Sequence, residues 1–313
     1  MNKGYIKVVL ALLGVAVYMQ NMAFASDSTS SENSSNEESE QLLTADSEEV
    51  HPKLSTDPEE YEQRLHPNPE ENEHLLCTDP EETKQAENVM AEALVHLQDH
   101  AKHTDDYYLY SKVDDRAIIH FKNFNGTDIG KLELTILNPN CYDDIINMIW
   151  DPSGAKYFDD SFIKGSIFRI YNKNLGIIEQ RHSTGFRWDG HYNALAGKAQ
   201  LSEDTTAIAL VSSNINDHDR KNSKNYINPI VESANSFTPE IDSEEDIKKG
   251  KLSKTYINLV GFIIKKEPDC VKITYLISID ANTYFFVLNS IIRNAVYNKI
   301  LDIVKIRDIF EEE

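Results

Sequence analysis

Cysteine is scarce in this chain, with 3 in 313 residues, and an odd number leaves at most one internal disulfide, so no disulfide framework can hold the fold. Glycine is sparse at 12 and shows no every-third-residue spacing, which excludes a collagen-like chain. Positive charge is in deficit: 31 Lys+Arg stand against 52 Asp+Glu, a formal net charge of -21, and the basic footprint of a nucleic-acid binder is missing. There is no Gly-x-Ser-x-Gly elbow, no phosphate-cradling glycine loop, no HExxH and no dinucleotide fingerprint. An enzyme is therefore not expected, nor a cofactor.

What is present begins with a leader. Met1 to Lys7 holds two lysines and no acid, Val8 to Tyr18 is apolar, and Ala23-Phe24-Ala25 supplies a small-x-small cleavage pattern before Ser26. The apolar run falls short of the roughly 20 residues needed to span a bilayer, so residues 1–25 read as a secretory signal peptide. No later segment is apolar enough to span, and a soluble mature protein is expected. Residues 26–86 carry 18 Asp+Glu and 3 Lys+Arg, a self-repelling tail that buries too little apolar surface to order itself. Within it Asp57-Pro58-Glu59-Glu60 returns as Asn68-Pro69-Glu70-Glu71 and as Asp79-Pro80-Glu81-Glu82, every 11 residues. Either a solvated spacer or a linear binding segment fits this repeat. Residues 87–313 keep a net charge of -8 and form the globular part.

From Pro80 to about Lys102, Val89, Ala93, Leu94 and Leu97 recur at helical spacing. Three strands follow, over Tyr107 to Val113, Ala117 to Phe121 and around Leu132, Leu134 and Ile136. Two short helices are expected at Tyr142 to Trp150 and Ala155 to Phe162. Six more strands run from Ser166 to Tyr171, Leu175 to Arg181, His191 to Leu201, Thr205 to Val211, Thr255 to Ile264 and Val271 to Ile279, interrupted by a polar insertion at Asn214 to Lys254. Phe285 to Val304 closes the pattern as a long amphipathic helix. Strands without intervening helices pair antiparallel. The expected architecture is α+β: a curved antiparallel sheet of about nine strands gripping the C-terminal helix and enclosing an apolar cavity, a helix-grip fold.

Among polar candidates, His96, His100 and His103 share a helix face, either as metal ligands or as solvated side chains. Asn216-Asp217-His218-Asp219 reads as a ligand set or as Asx turns. Arg187 and Trp188 lie near Tyr192, the residue types that would meet the phosphate and the quaternary ammonium of phosphocholine, or else form an edge-strand Trp with a surface ion pair. Arg169 and Arg181 face either the cavity or solvent by strand alternation.

Several segments carry a family likeness. Met1-Asn2-Lys3-Gly4-Tyr5-Ile6-Lys7, Asp79-Pro80-Glu81-Glu82-Thr83-Lys84-Gln85-Ala86, the stretch from Tyr142 to Pro152, Ser202 to Thr206, Ile230 to Asn235 and the ending Ile303 to Phe310 resemble the fam-a exported proteins of malaria parasites. The likeness covers the leader and nearly all of Pro80 to Phe310. It implies a START-like domain that binds phospholipid, phosphatidylcholine above all, and moves it between membranes through transient membrane contact. It also implies secretion to the parasitophorous vacuole or the host red cell. Trp150-Asp151, Gly261-Phe262, Thr274-Tyr275 and Asp280 match the broader START pattern, whereas Gly190-His191-Tyr192-Asn193 stands where START domains commonly have an Arg-Asp pair, and no Pro precedes the last helix. The expected lipid contacts are then Arg169, Arg181, Arg187, Trp188, Tyr192 and Tyr275. A lid face is expected from Phe285, Leu288, Ile292, Val296 and Ile300. The rival expectation is a START-like interaction protein that meets host or parasite partners through its acidic tail and insertion and transfers no lipid.

Overall fold

The computed structural model describes residues 73–183, 189–222, 224–283 and 289–311. Helix α1 spans Pro80–Lys102. It starts where the sequence supplies a cap: Asp79 accepts hydrogen bonds from the Glu81 and Glu82 backbone N–H groups, and Pro80 occupies the first turn, where its missing N–H costs nothing. Residues 73–86, assigned above to the acidic tail, thus belong partly to the folded body. Leu76 bridges to Ile170, and Glu82 accepts from Arg169 and Tyr171.

The strands are β1 (Tyr108–Asp114), β2 (Ala117–Phe124), β3 (Thr127–Ile136), β4 (Phe162–Asn172), β5 (Leu175–His182), β6 (Gly190–Ser202), β7 (Thr205–Val211), β8 (Ser253–Lys254), β9 (Tyr256–Lys266) and β10 (Val271–Asp280). Nine of them form one antiparallel sheet in the order β1-β2-β3-β10-β9-β7-β6-β5-β4, and the two-residue β8 adds parallel to β6. The β2–β3 hairpin turns on Asn125 and Gly126, both at positive φ, as a tight two-residue turn demands. Between β3 and β4, helix α2 (Tyr142–Trp150) forms as expected. The second short helix does not: only a single 3-10 turn occupies Gly154–Tyr157, and β4 already begins at Phe162.

Each face of the sheet is covered differently. On the convex face α1 lays its buried stripe of Ala86, Val89, Met90, Ala93 and Leu97 against Leu195, Ala207, Ala209 and Leu259. The insertion packs beside it, although it reads as polar. Ile230, Val231, Phe237 and Ile241 join that core, and the polar residues serve the buried chain. Asn228 Oδ1 accepts from the Ile230 and Val231 N–H groups while its amide donates to the Ser212 and Asn258 carbonyls. A segment with little ladder pairing must satisfy its backbone this way. It contains the short helix α3 (Glu245–Lys248) and no strand at Ile227 to Val231.

On the concave face lies helix α4, described over Asn289–Glu311, seven residues beyond the expected end at Val304. It crosses β3 and β10. Gly130 on β3 makes room for it, since a Cβ there would stand 2.7 Å from Ile300 Cδ1. Ion pairs fasten it along its length: Arg293 to Asp128 at 2.8 Å, Lys299 to Asp159 at 2.6 Å and Arg307 to Asp114 at 2.6 Å. None of the described helices is long and apolar enough to cross a membrane.

Candidate functional site

Between α4, α2 and the concave face of β4 to β10 the protein forms a partly open cavity of about 730 Å³. Strand alternation builds its walls. On β5 the residues Gly176, Ile178, Gln180 and His182 line it, on β6 Tyr192 and Ala196, on β7 Ile208 and Leu210, on β10 Tyr275, Ile277 and Ile279. On β9 an irregularity in the pairing with β10 shifts the parity, so that Ile257 joins Val260 and Phe262 on the cavity side while Asn258 bonds to Tyr226 and Ser278. Ile149 and Trp150 from α2 and Ala295, Lys299, Asp302 and Ile303 from α4 complete the enclosure. Close-packed interiors leave few voids larger than a water molecule, so a space of this size with mostly apolar walls is the candidate binding cavity.

One polar cluster interrupts the apolar lining. Asp159, buried in the turn that leads into β4, accepts from Lys299 Nζ at 2.6 Å and from the Ser161 hydroxyl at 2.7 Å, and its Oδ2 lies 3.2 Å from His182 Nδ1. Burial alone would raise the Asp159 pKa. Contacts with His182, Lys299 and Ser161 outweigh it and hold the carboxyl well below the usual range. Lys299 also donates to Ser161 Oγ at 2.6 Å. His182 stacks on Tyr192, whose hydroxyl donates to Gln180 Oε1, and the Gln180 amide donates to the Pro152 carbonyl at 2.7 Å. Deeper in, Tyr275 leans on Phe262 with ring centroids 4.6 Å apart, and Asp302 pairs with Lys305 at 3.0 Å. Burial pushes the Asp302 carboxyl up, with Lys305 opposing. Burial likewise pushes both tyrosine hydroxyls above the ordinary phenol range.

Of the residues proposed from sequence, Tyr192 and Tyr275 line the cavity. Arg169 and Arg181 do not. Arg169 is spent on Glu82 and the Glu240 carbonyl, and Arg181 on Glu179 and Asp246, all on the convex side. On β5 beyond Leu175 the cavity takes the even positions, so residue 181 points away. Arg187, Trp188, Phe285 and Leu288 lie outside the described residues. The lid face is rotated from the expected one: Ile292, Val296 and Ile300 do not line the cavity, and Val296 and Ile300 are buried. The most apolar stripe of α4 seats on the sheet core, and the adjoining mixed stripe of Ala295, Lys299, Asp302 and Ile303 meets the cavity. Sequence reading missed Asp159, Ser161, Gln180, His182 and Lys299. A lone lysine between Ala295 and Ile303 at spacings of four was the available signal.

Trp150 and Phe262 line the cavity, while Gly261, next to Phe262, faces Leu97 on the convex side and Asp280 pairs with Lys224. His100 is buried with Nδ1 3.1 Å from the Tyr107 hydroxyl, whereas His103 is exposed beside Asp99. Asp217 is buried against Lys254 and Asn193, and Asn216 forms an Asx turn to His218. Among the described residues no group of acids, histidines and cysteines is arranged to hold a metal.

No family model and no curated protein matches the sequence. Solved structures do match. Human StAR-related lipid transfer protein 5 aligns with a TM-score of 0.52 at 9% identity, over 73% of this chain and 97% of that one. The lipid transfer and protein localization domain of human StarD13 (DLC2) gives 0.48 at 10% identity over 69% and 95% of the two chains. Human STARD10 gives 0.47 at 10% identity over 67% and 77%. The fold is the START-like helix grip: a curved antiparallel sheet around a C-terminal helix.

Proposed function

We propose that this chain is a lipid carrier, which binds a phospholipid in the cavity beneath α4 and transfers it between membranes. The observation that supports this reading is the cavity of about 730 Å³ itself, apolar along most of its wall and polar at one cluster. A lipid in transit must keep its acyl chains dry, because each CH2 left in water costs about 0.8 kcal/mol. Its polar group needs hydrogen-bond partners on the same journey. The START-like fold of human StAR-related lipid transfer protein 5 adds support for lipid as the ligand class. Ser161 stands 3.4 Å from His182 in the wall, but its hydroxyl donates to Asp159 and accepts from Lys299, and carriage rather than catalysis is the activity proposed.

Phosphatidylcholine is the proposed cargo, on the fam-a resemblance. The leader at residues 1–25 supports secretion, and the same resemblance points to the parasitophorous vacuole or the host red cell as destination. Membrane contact is transient in this reading, since α4 covers the cavity and must move for cargo to enter. The test is native mass spectrometry of the purified chain after incubation with mixed liposomes. A stoichiometric phospholipid adduct, with phosphatidylcholine enriched over the input mixture, is expected. Absence of any adduct would return the chain to the non-transferring interaction protein.

A further inference from the structure

The cavity reaches solvent beside the turn between β4 and β5. Leu76, Asn172 and Lys173 line it and are also exposed, Leu76 with 49% of its surface. Leu76 bridges to Ile170 on β4, and two residues beyond Ile170 the chain turns into β5 over Lys173 and Asn174. Across that turn the backbone N–H of Lys198 on β6 donates to the Asn174 carbonyl at 2.9 Å. Residue 198 shares the cavity-side parity of Tyr192 and Ala196, and its ammonium stands 5.1 Å from the ring centroid of Trp150, a half-buried residue of the cavity wall.

Two cations therefore sit side by side at this rim. Among the described residues neither the Lys173 nor the Lys198 ammonium makes an ion pair or a hydrogen bond. Burial, and then the charge of Lys173, pulls the Lys198 pKa below its ordinary value, the mark of a cation without a counter-ion. Residues 87–313 are acidic as a whole, so the rim reverses the sign of the domain locally. An anion completes such a pair. Its neighbours decide which kind: Leu76 and Trp150 give the same rim an exposed aliphatic group and an amphipathic ring, the residue types that settle at the boundary between headgroups and acyl chains. Lysines beside them add about 1 kcal/mol each on an anionic leaflet.

We infer that this rim is a docking surface for an anionic phospholipid membrane, with Lys173 and Lys198 on the headgroups and Leu76 and Trp150 in the boundary below them. The inference rests on the carrier reading and adds to it the surface used and its charge preference. Docking here sets the mouth of the cavity against the leaflet. Acyl chains then pass from bilayer to cavity without crossing water, which is the step that costs a carrier most.

The test uses residues 26–313, because an apolar leader binds vesicles by itself and every described contact lies beyond it. Flotation with phosphatidylcholine vesicles, with and without phosphatidylserine, reads the binding. The chain should prefer the serine-containing vesicles and lose that preference in high salt. Lys173→Gln combined with Lys198→Gln should weaken binding to them by about tenfold and leave binding to pure phosphatidylcholine unchanged. Leu76→Ser should weaken both. A charge-matched pair, Lys102→Gln with Lys251→Gln, at exposed lysines on α1 and in the insertion, should change neither. Absence of a serine preference overturns the inference, and so does equal loss in the two lysine pairs, which would reduce the effect to net charge. Unchanged vesicle binding in the rim pair also overturns it: with phospholipid uptake lost, read by native mass spectrometry, the lysines hold the phosphate of the cargo, and with uptake kept they serve the acidic tail or solvent. Should the unmodified chain dock but take up no phospholipid, the carrier reading falls and the docking surface stands.

Discussion

The ammonium of Lys299 donates a 2.6 Å hydrogen bond to Oδ2 of Asp159, and with its bond to Ser161 it joins the C-terminal helix to the turn that leads into β4. Asp159 is buried and Lys299 is partly open. Removing the lysine leaves the carboxylate with Ser161 and His182 alone. Lys299→Met should cost about 1–3 kcal/mol in urea unfolding. Lys305→Met, which breaks pairs reaching the exposed Asp160 and the half-buried Asp302, should cost less than about 1 kcal/mol. An equal loss in the two variants would show that burial of Asp159 does not set the strength of this contact.

Arg169 and Glu82 supply a control from the other side of the sheet. Glu82 receives two bonds from Arg169 at 2.8 Å and one from the Tyr171 hydroxyl at 2.7 Å, pinning the first turn of α1 to β4. Glu82→Ala leaves a guanidinium and a phenol unpartnered and should cost about 1–3 kcal/mol. Lipid binding by the folded protein should be unchanged, because these groups face away from the cavity. Reduced affinity in a fully folded Glu82→Ala or Arg169→Ala chain would restore Arg169 as a ligand contact.

The helix grip was legible because strand parity was. On β10 the run Val271, Ile273, Tyr275, Ile277, Ile279 alternates with polar positions at its start, and a sheet with one wetter face leaves that trace. The cavity-facing side of β5 left none. Both faces of that strand are covered, so Ile177 and Ile178 are equally apolar and nothing in the pattern tells residue 181 from residue 182. The insertion misled for a related reason: its asparagines and serines satisfy buried backbone, whereas polar composition ordinarily marks solvent. On α4 the richest apolar stripe went to the sheet, and the cavity received the stripe with Lys299 and Asp302, so apolar content alone pointed to the wrong face of the helix.

Gly130 measures how tightly α4 is seated. A Cβ at this position would stand 2.7 Å from Ile300 Cδ1 and 3.3 Å from both Ile277 and Phe121. Gly130→Val adds three carbons where no space exists, and such overpacking costs about 1–3 kcal/mol. The strain falls between the helix and β3, so hydrogen exchange should accelerate in α4 before it does in α1. Protection lost uniformly across both helices would mean that the cover does not open as a separate unit.

Acid should destabilise the protein through two buried histidines before it reaches Asp159. His191 is buried among Lys254, Asp217, Arg181 and Asp246, and burial, reinforced by Lys254, pulls its pKa down to about 4. His100, buried beside Tyr107 and Phe124, is pulled to about 4 by burial and then by Lys122. Both native values lie below the roughly 6.5 of an unfolded histidine. Between those limits the unfolded chain binds the extra proton, so stability falls as pH falls from about 6.5 towards 4. Each histidine should remove roughly 2 kcal/mol between pH 7 and pH 5. Asp159, with its depressed native pKa, loses its contribution only below about pH 4, outside this window. Urea unfolding at the two pH values should therefore show a difference of about 4 kcal/mol, halved in His191→Gln. A difference that the substitution leaves intact would place the acid sensitivity elsewhere.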